Sequence, residues 1–413
     1  MELREVKGLN EMNCQICSSK ALVHVTSLGH HALPDAFLAP CQAAEPFTVY
    51  PLDLYICNQC WLAQIGYSVD PSLLFTDFVY TTESNPASRP HFERLVKSFI
   101  ERFELGRGDL AVDLASNDGT LLEQYGNAVE LLGVDPSSAA RIAIEKGLPT
   151  IVEFFTEGTA RQILATRQPA KIITTMNAFA HIKELDAFMG GVLALLAKTG
   201  VFISESHHLQ NVIVKMQYDL IHHEHLRFYS LRPLMVLFDR YGLEIFDVEE
   251  TETQGGSIVV YAARKGAYPV SANVARVLEQ ETAAGLYSAA TYETWARRLI
   301  QSKQRLMSLL YELKAKGARI AGIGASAKGN TIINYCGIRP DILDYITEGA
   351  ELKLGKLAPG SLIPVVADQE LLERQPEYAL ILTSNLKDIV IRRLREKGYK
   401  GEFIVPGDVP SIE

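Results

Sequence analysis

Apolar positions recur along this chain with two alternating periods. From Pro90 to Phe103, residues Phe92, Leu95, Val96, Phe99, Ile100 and Phe103 fall at helical spacing, and the run stops at Gly106. Short, largely apolar segments follow at Leu110–Leu114 and Glu130–Val134 and read as strands of a parallel sheet. The first exits into Ala115-Ser116-Asn117-Asp118-Gly119-Thr120, small and polar ahead of a new helix, and the second closes on Asp135-Pro136. A further strand is predicted from Gly200 to Glu205. A long helical stretch ending near Lys316 then leads to a second α/β rhythm, with a strand at Arg319–Ile323 and a glycine-rich turn, Gly322 to Asn330, into a helix. Ahead of all this the chain is turn-rich with strand-like pieces such as Leu54-Tyr55-Ile56. The pattern divides into a small β-rich module (1–75), a central Rossmann-like α/β domain (76–264) and a C-terminal Rossmann-like α/β domain (265–413).

Length agrees with several domains, since 413 residues exceed the usual roughly 100–200 per domain. Forty basic against 49 acidic residues give a net charge of -9 without a basic tract, which argues against a nucleic-acid partner. The N-terminal MELREVKGLNEMNC lacks the basic stub and apolar core of a signal peptide. The most apolar stretch, GGVLALLAKTGVFI, is interrupted by Lys198 and too short to span a bilayer. The expectation is a cytoplasmic protein with no membrane partner, a monomer by default.

In a reducing compartment the cysteines gain meaning. Cys14/Cys17 and Cys57/Cys60 form two C-x-x-C pairs, the pattern of a closed, structural four-thiolate zinc site. A redox C-x-x-C wants a thioredoxin-like βαβ context, which is missing. Cys41 and Cys336 read as small buried residues.

Two constellations carry chemistry. His222-His223-Glu224-His225 concentrates imidazoles and a carboxylate able to take a proton near neutral pH, with a surface cluster or a metal site on His222 and His225 as the alternatives. At the carboxyl ends of the first two central strands, Asp113, the Asn117-Asp118-Gly119 turn and Asp135 suit a nucleoside cofactor; an acid closing the second strand accepts from ribose hydroxyls. No G-x-G-x-x-G is present, which disfavours a dinucleotide and favours S-adenosylmethionine, against the alternative of a solvated turn with strand-capping acids. The Gly322–Asn330 turn, with Gly324, Ser326, Lys328 and Asn330, offers a helix N-terminus to a substrate phosphate or is a plain structural βα turn.

Taken together, the paired C-x-x-C module, the A-S-N-D-G-x-L loop at Ala115 to Leu121, Asn177-Ala178-Phe179-Ala180-His181, the H-E-H core at His223 to His225, Gly255-Gly256-Ser257, the Gly322 to Gly329 turn and Pro359-Gly360 with Ile363-Pro364 resemble the sugar C-methyltransferase family, over nearly the whole chain. The resemblance implies a three-domain enzyme that uses S-adenosylmethionine to methylate a carbon beside the ketone of a dTDP-linked deoxysugar. It further implies zinc on the four cysteines and a sugar nucleotide between the second and third domains. Position by position, it makes His225 the base with Glu224 beside it, His181 and Tyr80 pocket-lining, and His222 a donor where the family has tyrosine. For the cofactor it implies Asp113, Ala115, Ser116, Asn117, Asp118, Asp135, Pro136 and Asn177, with Phe155 near the adenine. The chain departs from the family at His222, Gln254, Ser384 and the Glu348–Lys356 segment.

Overall fold

The computed structural model describes residues 12–75, 80–383 and 386–413; Ser384 lies outside them. In chain order the strands are β1 (Leu22–His31), β2 (Tyr50–Cys57), β3 (Ala63–Ile65), β4 (Leu110–Leu114), β5 (Glu130–Val134), β6 (Thr150–Ile151), β7 (Ala170–Met176), β8 (Leu196–His207), β9 (Arg227–Phe228), β10 (Leu243–Thr251), β11 (Ser257–Arg264), β12 (Ile320–Ile323), β13 (Tyr345–Glu348), β14 (Val365–Ala367), β15 (Tyr378–Ile381), β16 (Glu402–Val405) and β17 (Ser411–Ile412).

The two apolar runs bounded by turns became neighbours, β4 and β5, paired in parallel from Leu110 opposite Glu130 to Leu114 opposite Val134. They sit inside a sheet of order β10-β11-β8-β7-β4-β5-β6, parallel except for β11, which runs antiparallel to both β8 and β10. From β4 the chain winds outward through β5 to β6, then crosses back to β7 and β8. The order therefore reverses at β4, and the crevice at its carboxyl end is where such sheets take ligands. The amphipathic helix appears as Ser88–Arg102; its Phe92, Leu95, Val96 and Phe99 are buried, each worth roughly 1.5–3 kcal/mol on transfer from water.

The C-terminal sheet has order β14-β13-β12-β15-β16-β17, parallel but for β17. The predicted helical stretch ahead of it is two helices, Ala272–Ala283 and Ala289–Ala315.

The N-terminal sheet crosses the expected boundary at residue 75. Its order is β1-β2-β3-β9, so Arg227 and Phe228, far along the central region, pair antiparallel with Gln64 and Ala63. The apolar core follows the same route: Leu54, Phe228, Trp295 and Ile333 belong to one continuous buried cluster joining the first module to the C-terminal domain. Among the described residues no helix is long and apolar enough to cross a membrane.

A buried polar pair fixes the helix that leads out of the central domain. His208 Nε2 and Glu281 Oε1 lie 2.7 Å apart, both side chains almost fully buried, and the same carboxylate accepts from the Leu231 N–H (2.8 Å) and the Tyr287 hydroxyl. Replacing Glu281 by Ala leaves those donors unanswered and is expected to destabilise the protein by ~3–5 kcal/mol, read as a lower midpoint in urea; a change below ~1 kcal/mol would show that the pair is not structural.

Candidate active site

The loop after β4 approaches the crevice with its backbone. Ala115, Asn117 and Gly119 all take left-handed conformations, φ 60°, 51° and 78°, and the loop is held from β5: Val134 O accepts from Ala115 N (2.7 Å), Asp135 Oδ2 from Asn117 N (2.9 Å), and Asp135 Oδ1 from Ser137 N (2.8 Å). Asp135 thus buttresses the loop while keeping lone-pair capacity on Oδ2 for a ribose hydroxyl. Pro136 beside it is partly exposed. Asp113 accepts from Thr174 Oγ1 at 2.6 Å, and burial, reinforced by Asp135, raises its carboxyl to about 7.

The side chains of Asn117 and Asp118 are bonded within the protein. Asn117 Oδ1 accepts from Thr82 N (2.9 Å) and its amide donates to Tyr80 O (3.1 Å), while Asp118 Oδ2 accepts from Glu83 N (2.9 Å). They strap the Tyr80–Ser84 segment over the loop, and Lys146 bridges Glu83 and Glu123 on the outside. Tyr80 belongs to this strap, its hydroxyl bonding toward Gln254, Ser88 and Asn85.

Among the described residues, several buried polar atoms near the ends of β4, β7 and β8 have no partner. Ser116 Oγ, Thr175 Oγ1, Asn177 Oδ1 and Ser206 Oγ are buried without a partner, and Asn177 is held at φ 56° with its N–H on Glu205 O. Buried polar atoms are rarely left unsatisfied; this ring of small acceptors and hydroxyls, with no glycine-rich pyrophosphate cradle, fits the polar ends of S-adenosylmethionine. Phe155, half-buried and edge-on to Phe188 at 5.4 Å, offers an apolar wall. Sequence reasoning missed a buried pair at the end of β8: His91 Nε2 meets Glu205 Oε2 at 2.7 Å and Thr253 Oγ1 donates to Oε1 at 2.6 Å. The available signal was an acid ending an otherwise apolar strand.

His225 sits at the centre of four imidazoles. Its ring centroid is 4.1 Å from that of His222, 4.8 Å from His181 and 5.1 Å from His207, the last residue of β8. Its Nδ1 donates to Leu220 O at 2.6 Å; since a carbonyl only accepts, that nitrogen carries the proton and Nε2 the lone pair. Burial lowers its basicity to about 4, against the pull of the Leu220 carbonyl, and the Lys328 ammonium adds to the lowering. Burial likewise holds His181, His207 and His222 well below the ordinary histidine range. The metal alternative at His222 and His225 is not met: among the described residues, only the four cysteines converge closely enough to hold an ion.

Glu224 does not make the hydrogen bond that orients His225. Burial, reinforced by Asp35 and opposed by Lys353, raises its carboxyl to about 8, and the partner that orients His225 is the Leu220 carbonyl. Glu224 belongs to a junction of all three parts of the chain, where Lys353 lies 3.8 Å from Asp35 and 3.9 Å from Glu348. His223 turns the other way, Nε2 to Pro51 O at 3.3 Å.

The turn after β12 is already occupied by the protein. Gly324 is left-handed at φ 89°, but the Ala325 N–H goes to Glu348 Oε2 (3.0 Å), Ser326 Oγ caps its helix at Gly329 N (3.1 Å) and the Asn330 amide donates to Pro34 O (2.7 Å). A carboxylate thus takes one of the backbone donors that the turn could offer a phosphate, and the charge of Lys328 adds to the lowering of His222 and His225. Before β11, Gly255 and Gly256 take left-handed backbone conformations, φ 91° and 118°, that favour glycine.

In the first module the four thiols meet, with Cys14 and Cys60 sulfurs 3.5 Å apart and Cys17 and Cys57 3.6 Å. All four sulfurs lie within 4.8 Å of one another, and their contacts drive the Cys60 thiol up and the Cys57 thiol down. A closed thiolate set with no room for a fifth ligand fits a structural zinc ion.

Three family models match this chain in succession: a zinc binding domain of methyltransferases (residues 14–75), a methyltransferase domain (89–248) and the C-methyltransferase C-terminal domain (252–410). The chain is 32% identical over 405 residues to the C-methyltransferase NovU of Streptomyces niveus, covering 97% of this chain and 96% of that protein. Among solved structures, magnesium protoporphyrin IX methyltransferase from Synechocystis PCC 6803 with bound SAM matches at 14% identity and TM-score 0.33, over 43% of this chain and 79% of its own. A S-adenosylmethionine-dependent methyltransferase from Clostridium acetobutylicum matches at 16% and 0.34, over 43% and 92%. Likenesses that slight decide nothing about this chain.

Metal analysis is expected to find one zinc per chain, lost in Cys57→Ser; a folded, metal-free wild-type protein would refute the site. The His225 ring should stay neutral as pH falls through about 6.5, the ordinary midpoint, and titrate near 4. An unfolded chain takes up that proton first, so His225 makes the fold lose stability as pH drops through this window. NMR titration of the ring decides it, and a midpoint at or above the ordinary value would contradict the burial argument.

Proposed function

The chain belongs to the SAM-dependent C-methyltransferases, and from that premise we propose that its acceptor is a nucleotide-linked, dTDP-type, 4-keto-deoxysugar methylated on a carbon next to the ketone. The observation that carries this reading is His225: a buried imidazole with its proton fixed on Nδ1 by Leu220 O, its lone pair on Nε2, and no competing carboxylate bond. Carbon is a poor nucleophile until a proton α to a carbonyl has been removed, so a C-methyltransferase needs a positioned base. An oxygen or nitrogen acceptor does not.

S-adenosylmethionine supplies the electrophilic methyl. Residues Ala115, Ser116, Asp135 and Asn177 would hold it against β4, β5 and β7, with Phe155 at the base, and Asn117 and Asp118 would act by keeping the strap closed. His225 Nε2 would take the α-proton, an assistance typically worth ~10²–10⁴-fold. His181 and His222, whose Nε2 and Nδ1 respectively are buried without partners, are placed to bond the sugar's hydroxyl or carbonyl groups. The imidazole cluster lies between the cofactor sheet and the C-terminal helix Ala327–Cys336, which supports an acceptor entering between those two domains. Free thiolates at the zinc site suit a reducing, cytoplasmic setting.

The test is exchange of substrate protons for deuterium, followed by NMR, on dTDP-linked 4-keto sugars with and without S-adenosylmethionine. Exchange and methylation at the same carbon are expected, and His225→Asn should lower both by ~10²-fold or more with cofactor affinity retained. Near-normal turnover in that variant would remove His225 from the base role, and a silent wild-type protein would refute the acceptor class.

A further inference from the structure

The first turn of the Ser88–Arg102 helix is tied to both sides of the cofactor crevice. β8, β7 and β4 are neighbours in the sheet, and the ties reach the two outer members of that trio. On the β4 side Arg89 meets Glu123 at 2.6 Å, at the end of the short helix Thr120–Glu123 that follows the cofactor loop. On the β8 side His91 Nε2 lies 2.7 Å from Glu205 Oε2, with both side chains almost fully buried. The two contacts differ in kind. Arg89 is exposed, and such surface pairs contribute little; the inner pair is a charge-assisted hydrogen bond away from water. A carboxylate only accepts and Arg94 only donates, to His91 Nδ1 at 3.4 Å, so the proton of the ring stands on Nε2 and faces Glu205.

The strap runs between these anchors. Ser88 N donates to Asn85 O (3.0 Å) and Ala87 N to Asn85 Oδ1 (3.1 Å), which joins the helix to the Tyr80–Ser84 segment that Asn117 and Asp118 bind. Behind the carboxylate, Glu205 O accepts from Asn177 N at 2.8 Å, and Ser206, next along β8, has a partnerless hydroxyl. A buried polar pair adds little net stability over an apolar replacement. Here it joins the helix that carries the strap to the strand beside Asn177.

We propose that His91 is a positioning residue for S-adenosylmethionine: its bond to Glu205 docks the helix, and with it the Tyr80–Ser84 strap, across the crevice that holds the cofactor. This role concerns the cofactor alone and stands apart from the acceptor class. The Glu205 side chain has no exposed surface, and its second oxygen is taken by Thr253 Oγ1 at 2.6 Å, so the pair acts through what it holds and not by touching the cofactor. Two holds therefore act on one segment. Asn117 grips the strap from the β4 loop, and His91 anchors the helix at its far end to β8. Because the segment is continuous, loss of either hold frees it from the crevice, and loss of both does little more than loss of one.

The experiment measures the affinity and dissociation rate of S-adenosylmethionine on the full chain, by calorimetry and stopped flow, beside the urea midpoint of each variant. His91→Phe keeps the ring volume and removes the N–H; it should weaken binding by ~10–100-fold, mostly through faster release. His91→Gln, whose amide N–H reaches the place of Nε2, should return the affinity to within about threefold of wild type. His91→Asn, too short to reach Glu205, takes the place of His91→Phe if that variant does not fold. Glu281→Ala, which breaks the other buried imidazole–carboxylate pair, should lower the urea midpoint but leave the affinity within about twofold. Asn117→Gly permits the left-handed backbone and removes the grip on the strap; combined with His91→Phe it should bind no more than about threefold worse than the weaker single variant. Affinity within about twofold of wild type in His91→Phe overturns the assignment, as does an equal loss in Glu281→Ala. A folded His91→Gln without rescue, or fully additive losses in the double variant, also overturns it and leaves the pair as packing alone. No sugar enters these measurements, so a failure of the acceptor class leaves them intact.

Discussion

The active-site loop is held by a two-residue strand that belongs to another domain's sheet. Arg227 and Phe228 leave the cofactor region to pair with Gln64 and Ala63, Ile65 N donates to Leu226 O at 3.0 Å, and Leu226 N donates to Ala180 O at 3.0 Å. The Arg227 guanidinium reaches the carbonyls of Ile182 and Lys183 from the same position. The chain from His222 to Phe228 is thereby fastened on one side to the zinc module and on the other to the His181 turn. β3 can hold its place because the second C-x-x-C pair, Cys57 and Cys60, ends β2 and forms the turn into it. The zinc site leaves no position for chemistry, yet it adjoins the strand to which the His225 loop is paired.

The electrostatics follow from this packing. Four imidazoles brought together by β8, the His181 turn and the loop suppress one another's protonation and keep His225 neutral, which a base must be. Both oxygens of Glu205 are bonded to His91 and Thr253, so the carboxylate of β8 is engaged away from the four imidazoles. His208 and Glu281, one residue beyond the cluster, tie its wall to the helix connecting the two α/β domains.

Much of this was legible in local pattern. Leu110–Leu114 and Glu130–Val134 are strands to the residue, because short, largely apolar segments between turn signals have few other solutions. The cysteine spacing sufficed for the zinc site, and Asp135 stands at the end of its strand as expected. What local pattern could not carry was partnership across the chain. Glu224 adjoins His225 in sequence, but neighbours on a turn point apart, and its surroundings are Asp35 and Lys353. Asn117 and Asp118 look like ligand-facing polar residues until the Tyr80–Ser84 strap is seen to take them. A glycine-rich turn ahead of a helix reads as an anion site in sequence, and here Glu348, 23 residues away, fills it.

The dependence of the base on the zinc module is the claim most open to direct test. Peptide-resolved amide hydrogen exchange before and after zinc removal would measure it. Loss of protection confined to residues 50–65 and 218–229, with β4, β5 and β7 still protected, is the predicted result. A loop that keeps its protection once the zinc is gone would contradict the account, since something other than the β3–β9 pairing would then be holding His225.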